Sequence, residues 1–183
     1  MHCSIVRKQL ARKSMDTTSP QNSFAAIIVA AGKGIRAGQP LPKQFALWRG
    51  KPVLRHSVEA FARAGATRIV IAIPENAEDL AETALAGIED FELVTGGATR
   101  QDSVRSSLER LADESADFVL IHDAARPALS SELIAQLLEA LDDHAGAIPV
   151  LPVVDSLSID QNGFMAGSAD REALRRVQTP QAF

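Results

Sequence analysis

Several residue types and patterns that define large protein classes are rare or absent in this sequence. The single cysteine, Cys3, allows no internal disulfide and no zinc site built from cysteine pairs. Tyrosine is absent and aromatic residues make up only 4% of the chain, so stacking platforms for single-stranded nucleic acid are not expected. The longest apolar run, residues 24–31, is far shorter than the roughly 20 residues that cross a bilayer core. The sequence therefore excludes a disulfide scaffold, a cysteine-based zinc protein and a transmembrane helix.

The charge balance argues against a further class of function, general nucleic-acid binding. The formal net charge of −4 argues against a general nucleic-acid binder, because such proteins are usually basic. No segment has the apolar core of a secretory signal, and the low cysteine content fits a reducing compartment. We therefore expect a cytoplasmic protein that associates with neither nucleic acid nor membrane. The basic residues within 1–13 leave an organelle-targeting peptide as an alternative.

Two regions of the chain differ in their sequence pattern. Residues 1–23 lack sustained hydrophobic periodicity and end in a cluster of serine, threonine, proline and asparagine, which predicts a mostly disordered N-terminal arm. Residues 24–183 have the length of one domain. With 46% hydrophobic and 23% charged residues, the chain has the composition of an ordinary globular protein.

Within 24–183, short apolar runs alternate with amphipathic segments. Strands are predicted over 24–31, 68–73, 91–95, 117–121 and 146–154. Helices are predicted from Pro52 (with Leu54, Val58 and Phe61 on one face), over 78–86, after Gly97 (with Val104, Leu108 and Leu111 on one face) and over 131–142. Continuous apolar strands separated by such helices indicate an α/β fold with a parallel sheet covered on both faces. In these sheets, ligands bind beyond the carboxyl ends of the strands.

The loop after the first predicted strand combines glycine with basic residues. It reads AAGKGIR over 30–36 and continues with LPKQ over 41–44. Glycine lets the backbone approach a ligand and direct amides at phosphate oxygens, while Arg36 and Lys43 supply two cations. The loop matches neither the Walker motif nor the dinucleotide-binding fingerprint. It predicts a triphosphate site, and a glycine-rich turn with solvated basic residues is the alternative.

A second loop, residues 96–103, follows the third predicted strand and reads GGATRQDS. Free amides at the start of the next helix could contact a base or a sugar. A helix entry capped by Thr99 explains the same residues equally well.

A third loop, residues 122–127, reads HDAARP and follows a buried strand. A carboxylate at this edge of the sheet, Asp123, is suited to bind Mg²⁺, which one or two carboxylates and substrate phosphates commonly hold. Arg126 could bind a second anionic substrate, and a salt bridge between Asp123 and Arg126 is the alternative. We interpret His122 as structural rather than catalytic.

Taken together, these stretches resemble one enzyme family, the 2-C-methyl-D-erythritol 4-phosphate cytidylyltransferases of non-mevalonate isoprenoid synthesis. The matching motifs are AAGKGIR, LPKQF, GGATRQDSV, IHDAARP, PVVDS, DR and QTPQ. They occur in the family's order and extend over about residues 24–183. The first motif is shared by many sugar-nucleotide transferases, whereas HDAARP followed by QTPQ is much more specific.

The resemblance implies a three-layer, Rossmann-like nucleotidyltransferase domain with a mainly parallel sheet. It also implies that CMP is transferred from CTP to methylerythritol phosphate with release of pyrophosphate, with Mg²⁺ as cofactor. A homodimer is implied as well, because the arm after PVVDS pairs two subunits in the family.

Individual roles follow where residues match the family's motifs. The catalytic residues implied are Arg36, Lys43 and Arg171. Nucleotide contacts are implied for Ala30, Ala31, Gly32, Gly34, Gly97, Ser103 and Asp123. Contacts with methylerythritol phosphate are implied for Asp123, Arg126, Ser156, Arg171 and Thr179, and Asp123 is also the implied metal ligand. Ser156 stands where the family usually has threonine, which keeps the hydroxyl group.

The family continues some tens of residues beyond QTPQ, whereas this chain ends at Phe183. We therefore expect a C-terminally truncated domain or the N-terminal part of a bifunctional enzyme that also carries the cyclodiphosphate synthase. Two alternatives to the cytidylyltransferase stay open. One is another nucleotidyltransferase acting on a sugar or polyol phosphate, and the other is an inactive nucleotide-binding module.

Overall fold

A computed structural model describes residues 4–9, 22–32, 41–112 and 116–183 of the protein. The strands are β1 (Ser4–Gln9), β2 (Phe24–Val29), β3 (Leu47–Trp48), β4 (Lys51–Pro52), β5 (Arg68–Ile73), β6 (Glu92–Thr95), β7 (Phe118–Asp123), β8 (His144–Pro152), β9 (Ser158–Gln161), β10 (Phe164–Ser168), β11 (Arg175–Val177) and β12 (Gln181–Ala182). The helices are α1 (Val53–Arg63), α2 (Glu78–Ala84), α3 (Arg100–Leu111) and α4 (Ser131–Leu141).

The centre of the fold is a mixed sheet in the order β1-β8-β12-β7-β2-β5-β6. Strands β7, β2, β5 and β6 are parallel neighbours. The two-residue strand β12 runs antiparallel between β7 and β8, and β11 pairs with the far end of β8. The parallel core confirms the predicted α/β class, and it places the carboxyl ends of β2, β6 and β7 on one edge of the sheet.

Helices cover both faces of this sheet. The larger core joins α1, α2 and α4 to one face, and its largest fully buried side chains include Phe61, Leu54 and Leu137. The smaller core joins α3 to the other face through Leu111, Ile27 and Val70. Strand β2 is apolar at every position because both of its faces are covered. The result is the predicted three-layer arrangement.

The buried face of α3 differs from the prediction. Leu108 is 41% exposed, whereas Ser103 and Ser107 are fully buried together with Leu111. Small side chains at these positions let the helix approach the sheet closely, and the Ser107 hydroxyl donates to the carbonyl of Ser103 at 2.9 Å. Apolar periodicity alone could not find this face because serine counts as polar.

The predicted disordered arm, residues 1–23, is partly wrong. Strand β1 pairs antiparallel with β8, with Ser4 opposite Val150. Residues 1–3 and 10–21 lie outside the described part of the chain. The low periodicity of the arm concealed this short edge strand, whose pairing partner lies more than a hundred residues away.

Strands β9 and β10 form a separate two-stranded hairpin after β8. Residues 154–168 are exposed throughout, including Phe164 at 78% and Met165 at 82%. The hairpin therefore projects from the domain with apolar side chains in contact with solvent. Among the described residues, no helix is long and apolar enough to span a membrane.

Candidate active site

A cavity of about 450 Å³ opens at the carboxyl edge of the parallel strands. It is lined by residues 29–32, Lys43, Gln44, residues 97–100, Ser103 and residues 123–125. The three loops that the sequence singled out thus meet in one place, because they follow β2, β6 and β7, parallel strands whose carboxyl ends lie at the same edge of the sheet. Two predicted site residues, Gly34 and Arg36, lie outside the described residues.

A buried glutamine holds the first loop. The Nε2 of Gln44 donates to the carbonyl oxygens of Ala30 at 2.7 Å and Gly32 at 3.1 Å. This amide bridges the end of β2 to the segment that carries Lys43. The sequence motifs led to no predicted role for Gln44, although an amide with two donors next to a basic residue is suited to fasten two carbonyl groups.

Lys43 is exposed and lines the cavity. Among the residues that the structure describes, no carboxylate lies within ion-pair distance of its ammonium group. An ammonium at the cavity wall with no carboxylate partner in the described part of the chain favours an anionic ligand.

The conformation of the second loop requires glycine at two positions, because neighbouring atoms leave no room for a Cβ there. A Cβ at Gly96 would collide with the Cβ of Ala31, and one at Gly97 would collide with the Cβ of Asp102. The Gly97 amide donates to the Ser103 hydroxyl at 3.1 Å, and that hydroxyl donates to the carbonyl of Thr99 at 3.0 Å. Ser103 therefore holds the loop against the start of α3.

The alternative interpretation of this loop, a helix entry, is confirmed, because Thr99 caps α3. Its side chain accepts from the Asp102 amide at 3.1 Å, and the Asp102 carboxylate accepts from the Thr99 amide at 3.1 Å. Hydrogen bonds from the Thr99 side chain and backbone lower the pKa of Asp102. The cap leaves Gly97 and Ala98 facing the cavity.

Two guanidinium groups surround Asp123 at the end of β7. Arg100 Nε donates to Asp123 Oδ1 at 2.9 Å, and Arg126 Nε lies 3.5 Å from Oδ2. The predicted alternative of an Asp123–Arg126 salt bridge is thus present, within a larger cluster. Arg100 was quoted in the second loop but was not predicted as a site residue, because its partner lies 23 positions along the chain.

The QTPQ segment, residues 178–181, completes the cluster. The Oε1 of Gln178 accepts from the Arg126 guanidinium, and the Oε1 of Gln181 accepts from Arg100 at 3.0 Å. Between them, the buried Thr179 hydroxyl accepts from the Asp123 amide at 3.2 Å. This segment therefore contacts both arginines and also the backbone amide of Asp123, whose carboxylate the two arginines share.

His122 is 1% exposed, and its ring packs edge-on against Phe61 with centroids 5.7 Å apart. Its Nδ1 lies 3.0 Å from Thr179 Oγ1 and its Nε2 lies 3.1 Å from the carbonyl oxygen of Arg126. Burial lowers the pKa of His122 to about 4, because the charged form loses its hydration. The side chain is therefore neutral at neutral pH.

This shifted pKa predicts a pH-dependent stability. Between pH 6.5 and about 4, the unfolded chain binds a proton at His122 and the folded chain does not. The free energy of unfolding should therefore fall by about 3 kcal/mol as the pH drops through this window, and His122 should contribute no slope above it. Denaturant titrations of His122→Gln should lack this component of the slope, whereas His56→Gln should keep it. An identical slope in wild type and His122→Gln would contradict the prediction.

Two predicted residues do not reach this cavity within the chain. Ser156 and Arg171 are exposed, and they lie just before and just after the projecting hairpin of β9 and β10. Arg171 instead lines a second, more open cavity of about 740 Å³ with Arg175, Glu172 and residues near the end of β8. Arg126 and Thr179 do not line the first cavity themselves, but both contact Asp123, which does.

Comparisons with known proteins agree on one family. The family model for 2-C-methyl-D-erythritol 4-phosphate cytidylyltransferase (IspD) matches residues 24–183. A bifunctional IspD/IspF enzyme of Erythrobacter litoralis is 63% identical over 169 residues, which cover 92% of this chain and 44% of that protein. A 2-C-methyl-D-erythritol 4-phosphate cytidylyltransferase of Cereibacter sphaeroides is 50% identical over 87% of this chain and 72% of its own length.

A solved structure gives the same result. The crystal structure of 2-C-methyl-D-erythritol 4-phosphate cytidylyltransferase from Thermus thermophilus superposes with a TM-score of 0.69 at 36% identity, covering 88% of this chain and 70% of that one. The chain spans less than half the length of the bifunctional relatives that it matches. These matches confirm the resemblance carried by the sequence motifs, and the chain belongs to the 2-C-methyl-D-erythritol 4-phosphate cytidylyltransferase (IspD) family.

Proposed function

We propose that this chain transfers CMP from CTP to 2-C-methyl-D-erythritol 4-phosphate and releases pyrophosphate, a step of isoprenoid synthesis. The observation that carries the proposal is the single cavity in which Lys43, the glycine-rich backbone of Gly97 and the Asp123 cluster meet at the carboxyl edge of the sheet. Family membership supports the choice of both substrates.

The chemistry requires little more than positioning and charge neutralisation. The acceptor phosphate is already ionised and attacks the α-phosphorus of CTP in line, so the protein need not supply a nucleophile. The main obstacle is repulsion between two polyanions. Lys43 meets the charge that grows on the α-phosphoryl oxygens and the leaving pyrophosphate, and Arg36 is the second cation proposed for this role.

Mg²⁺ fits the residues present at one position. Asp123 is the only carboxylate lining the cavity among the described residues, and one carboxylate with substrate phosphates is a common Mg²⁺ site. Both of its oxygens face guanidinium groups, so Arg100 has to release Oδ1 when a cation binds. Mg²⁺ supplies positive charge against the triphosphate, and Asp123 would hold it.

A homodimer is part of the proposal. The hairpin of β9 and β10 exposes Ile159, Phe164 and Met165, and burial of such a surface against a second copy stabilises association. Ser156 and Arg171 flank this hairpin and do not line the first cavity of their own chain. We propose that they bind the acceptor phosphate in the partner's cavity. A cytoplasmic location and the absence of nucleic-acid partners stay predictions from composition.

Arg171→Ala is expected to raise the KM for methylerythritol phosphate more than the KM for CTP, because its guanidinium would bind only the acceptor. Steady-state kinetics with each substrate varied in turn measure this difference. Arg63→Ala, an exposed arginine on α1, serves as the control and should leave both constants unchanged. A larger rise in the KM for CTP would reject the assignment.

The function itself is tested by pyrophosphate release from the purified chain. We expect release with CTP and methylerythritol phosphate together, and much less with UTP or with sugar phosphates as acceptor. Preference for another triphosphate or acceptor would indicate a different nucleotidyltransferase of the same fold. CTP binding without release under any of these conditions would identify a nucleotide-binding module.

A further inference from the structure

We propose that His122 is a positioning residue, which fixes the turn carrying Asp123 and Arg126 by joining that turn to Thr179. The inference rests on the proposed function, since it concerns the same cavity. His122 does not line the cavity and is almost completely buried, so it acts through its neighbours and touches no substrate.

The hydrogen-bond chain around His122 has only one consistent set of donors and acceptors. The carbonyl oxygen of Arg126 can only accept, so the Nε2 of His122, 3.1 Å away, carries the ring proton. Nδ1 then accepts from the Thr179 hydroxyl at 3.0 Å. The oxygen of that hydroxyl accepts in turn from the Asp123 amide at 3.2 Å. Each polar group is satisfied, and the loss of one bond leaves a buried neighbour unpaired.

The imidazole contacts three parts of the structure: α1, the turn after β7 and the QTPQ segment. Its ring packs against Phe61 of α1, which anchors it in the larger core. Its two nitrogens reach the turn after β7 and the QTPQ segment. The imidazole at the centre of the chain of hydrogen bonds is therefore held in the core, and the chain ends at the Arg126 carbonyl and the Asp123 amide.

The glutamines on either side of Thr179 also contact the groups around Asp123. Gln178 contacts Arg126, and Gln181 contacts Arg100, and both arginines contact Asp123. Displacement of Thr179 would move both glutamine side chains with it. His122 thus determines where Asp123 and its two arginines lie relative to Lys43, which lines the same cavity.

A first experiment measures hydrogen exchange at the Asp123 amide in the full chain, independently of activity. Thr179→Val keeps the side-chain shape but removes the hydroxyl, and we expect exchange at least about tenfold faster relative to amides of β2 and β5. Thr179→Ser retains the hydroxyl and should exchange like wild type. His122→Leu should resemble Thr179→Val. Unchanged exchange in Thr179→Val would overturn the inference.

A second experiment separates positioning from a purely structural role. We expect His122→Leu to lower kcat/KM for methylerythritol phosphate about tenfold or more, with the KM for CTP changed less than about threefold, because Arg126 and not Lys43 is displaced. His122→Asn places an oxygen acceptor near Nδ1 and should recover part of the loss. His56→Gln, which alters a histidine bonded to the Trp48 carbonyl outside the cavity, should match wild type.

The two experiments distinguish the failures. Wild-type protein without transferase activity would overturn the proposed function, and the exchange pattern would still decide whether His122 and Thr179 fix the turn. Equal losses in His122→Leu and His122→Asn, or equal effects on both substrates, would overturn the positioning role. If His122→Leu does not fold, Thr179→Val against Thr179→Ser provides the same comparison through the hydroxyl alone.

Discussion

Replacement of Lys43 by alanine is expected to lower turnover at least about 100-fold while the fold survives. Loss of one group that stabilises transition-state charge typically costs about 10²–10³ in rate. Lys43 lies on the cavity wall, and its ammonium has no carboxylate partner among the described residues, so it remains available for phosphate oxygens. Because the side chain is exposed, its removal leaves no cavity in the core. The measurement is kcat at saturating CTP and acceptor, in a background with established activity.

Lys51→Ala is the matched control for this substitution. Lys51 is also partly exposed, but its ammonium lies 2.8 Å from the Glu59 carboxylate on α1, outside the cavity. We expect wild-type turnover in this variant. Lys43→Arg keeps the charge and should lose less activity than Lys43→Ala. Near-normal turnover of Lys43→Ala, with an unchanged melting temperature, would refute the role of Lys43.

The parallel half of the fold could be predicted because its signals are local. Strand β2 is apolar at every position since both faces are covered, and α1 shows its buried stripe at helical spacing. The face of α3 could not be predicted, because a helix that approaches a sheet closely through Ser103 and Ser107 has little apolar signal. The edge strand β1 and the two-residue strand β12 depend on distant partners, which periodicity does not reveal.

In the site, too, residues with local sequence signals could be predicted and residues that depend on distant contacts could not. Gly97, Lys43 and Asp123 could be placed together, since each follows a parallel strand and the carboxyl ends of these strands share one edge of the sheet. The residues that hold them in place could not be predicted, because their contacts span 12 to 81 positions of the sequence. These residues are Gln44, Arg100, Gln178 and Gln181. His122 was interpreted as structural, which its burial supports. Its hydrogen bonds to the turn after β7 and to Thr179 were not apparent from the sequence.

Replacement of Asp123 by asparagine should reduce catalysis strongly while stability changes little. Its two arginine partners are each 44% exposed, and partly exposed ion pairs contribute about 1 kcal/mol or less. The free energy of unfolding should therefore change by no more than about 1 kcal/mol. Turnover should fall at least about 100-fold, because the variant loses the only described carboxylate that can hold Mg²⁺ in the cavity.

The two kinetic constants should move differently in Asp123→Asn. Loss of a Mg²⁺ ligand weakens nucleotide binding, whereas loss of a negative charge beside the triphosphate strengthens it, so the KM for CTP should change much less than kcat falls. Arg100 and Arg126 lose their anionic partner in this variant and become available to the phosphates. Asp143→Asn, an exposed carboxylate after α4, should match wild type in both constants. Turnover of Asp123→Asn within threefold of wild type, measured across a range of Mg²⁺ concentrations, would show that the carboxylate holds no cation needed for the reaction and serves only to pair the two arginines.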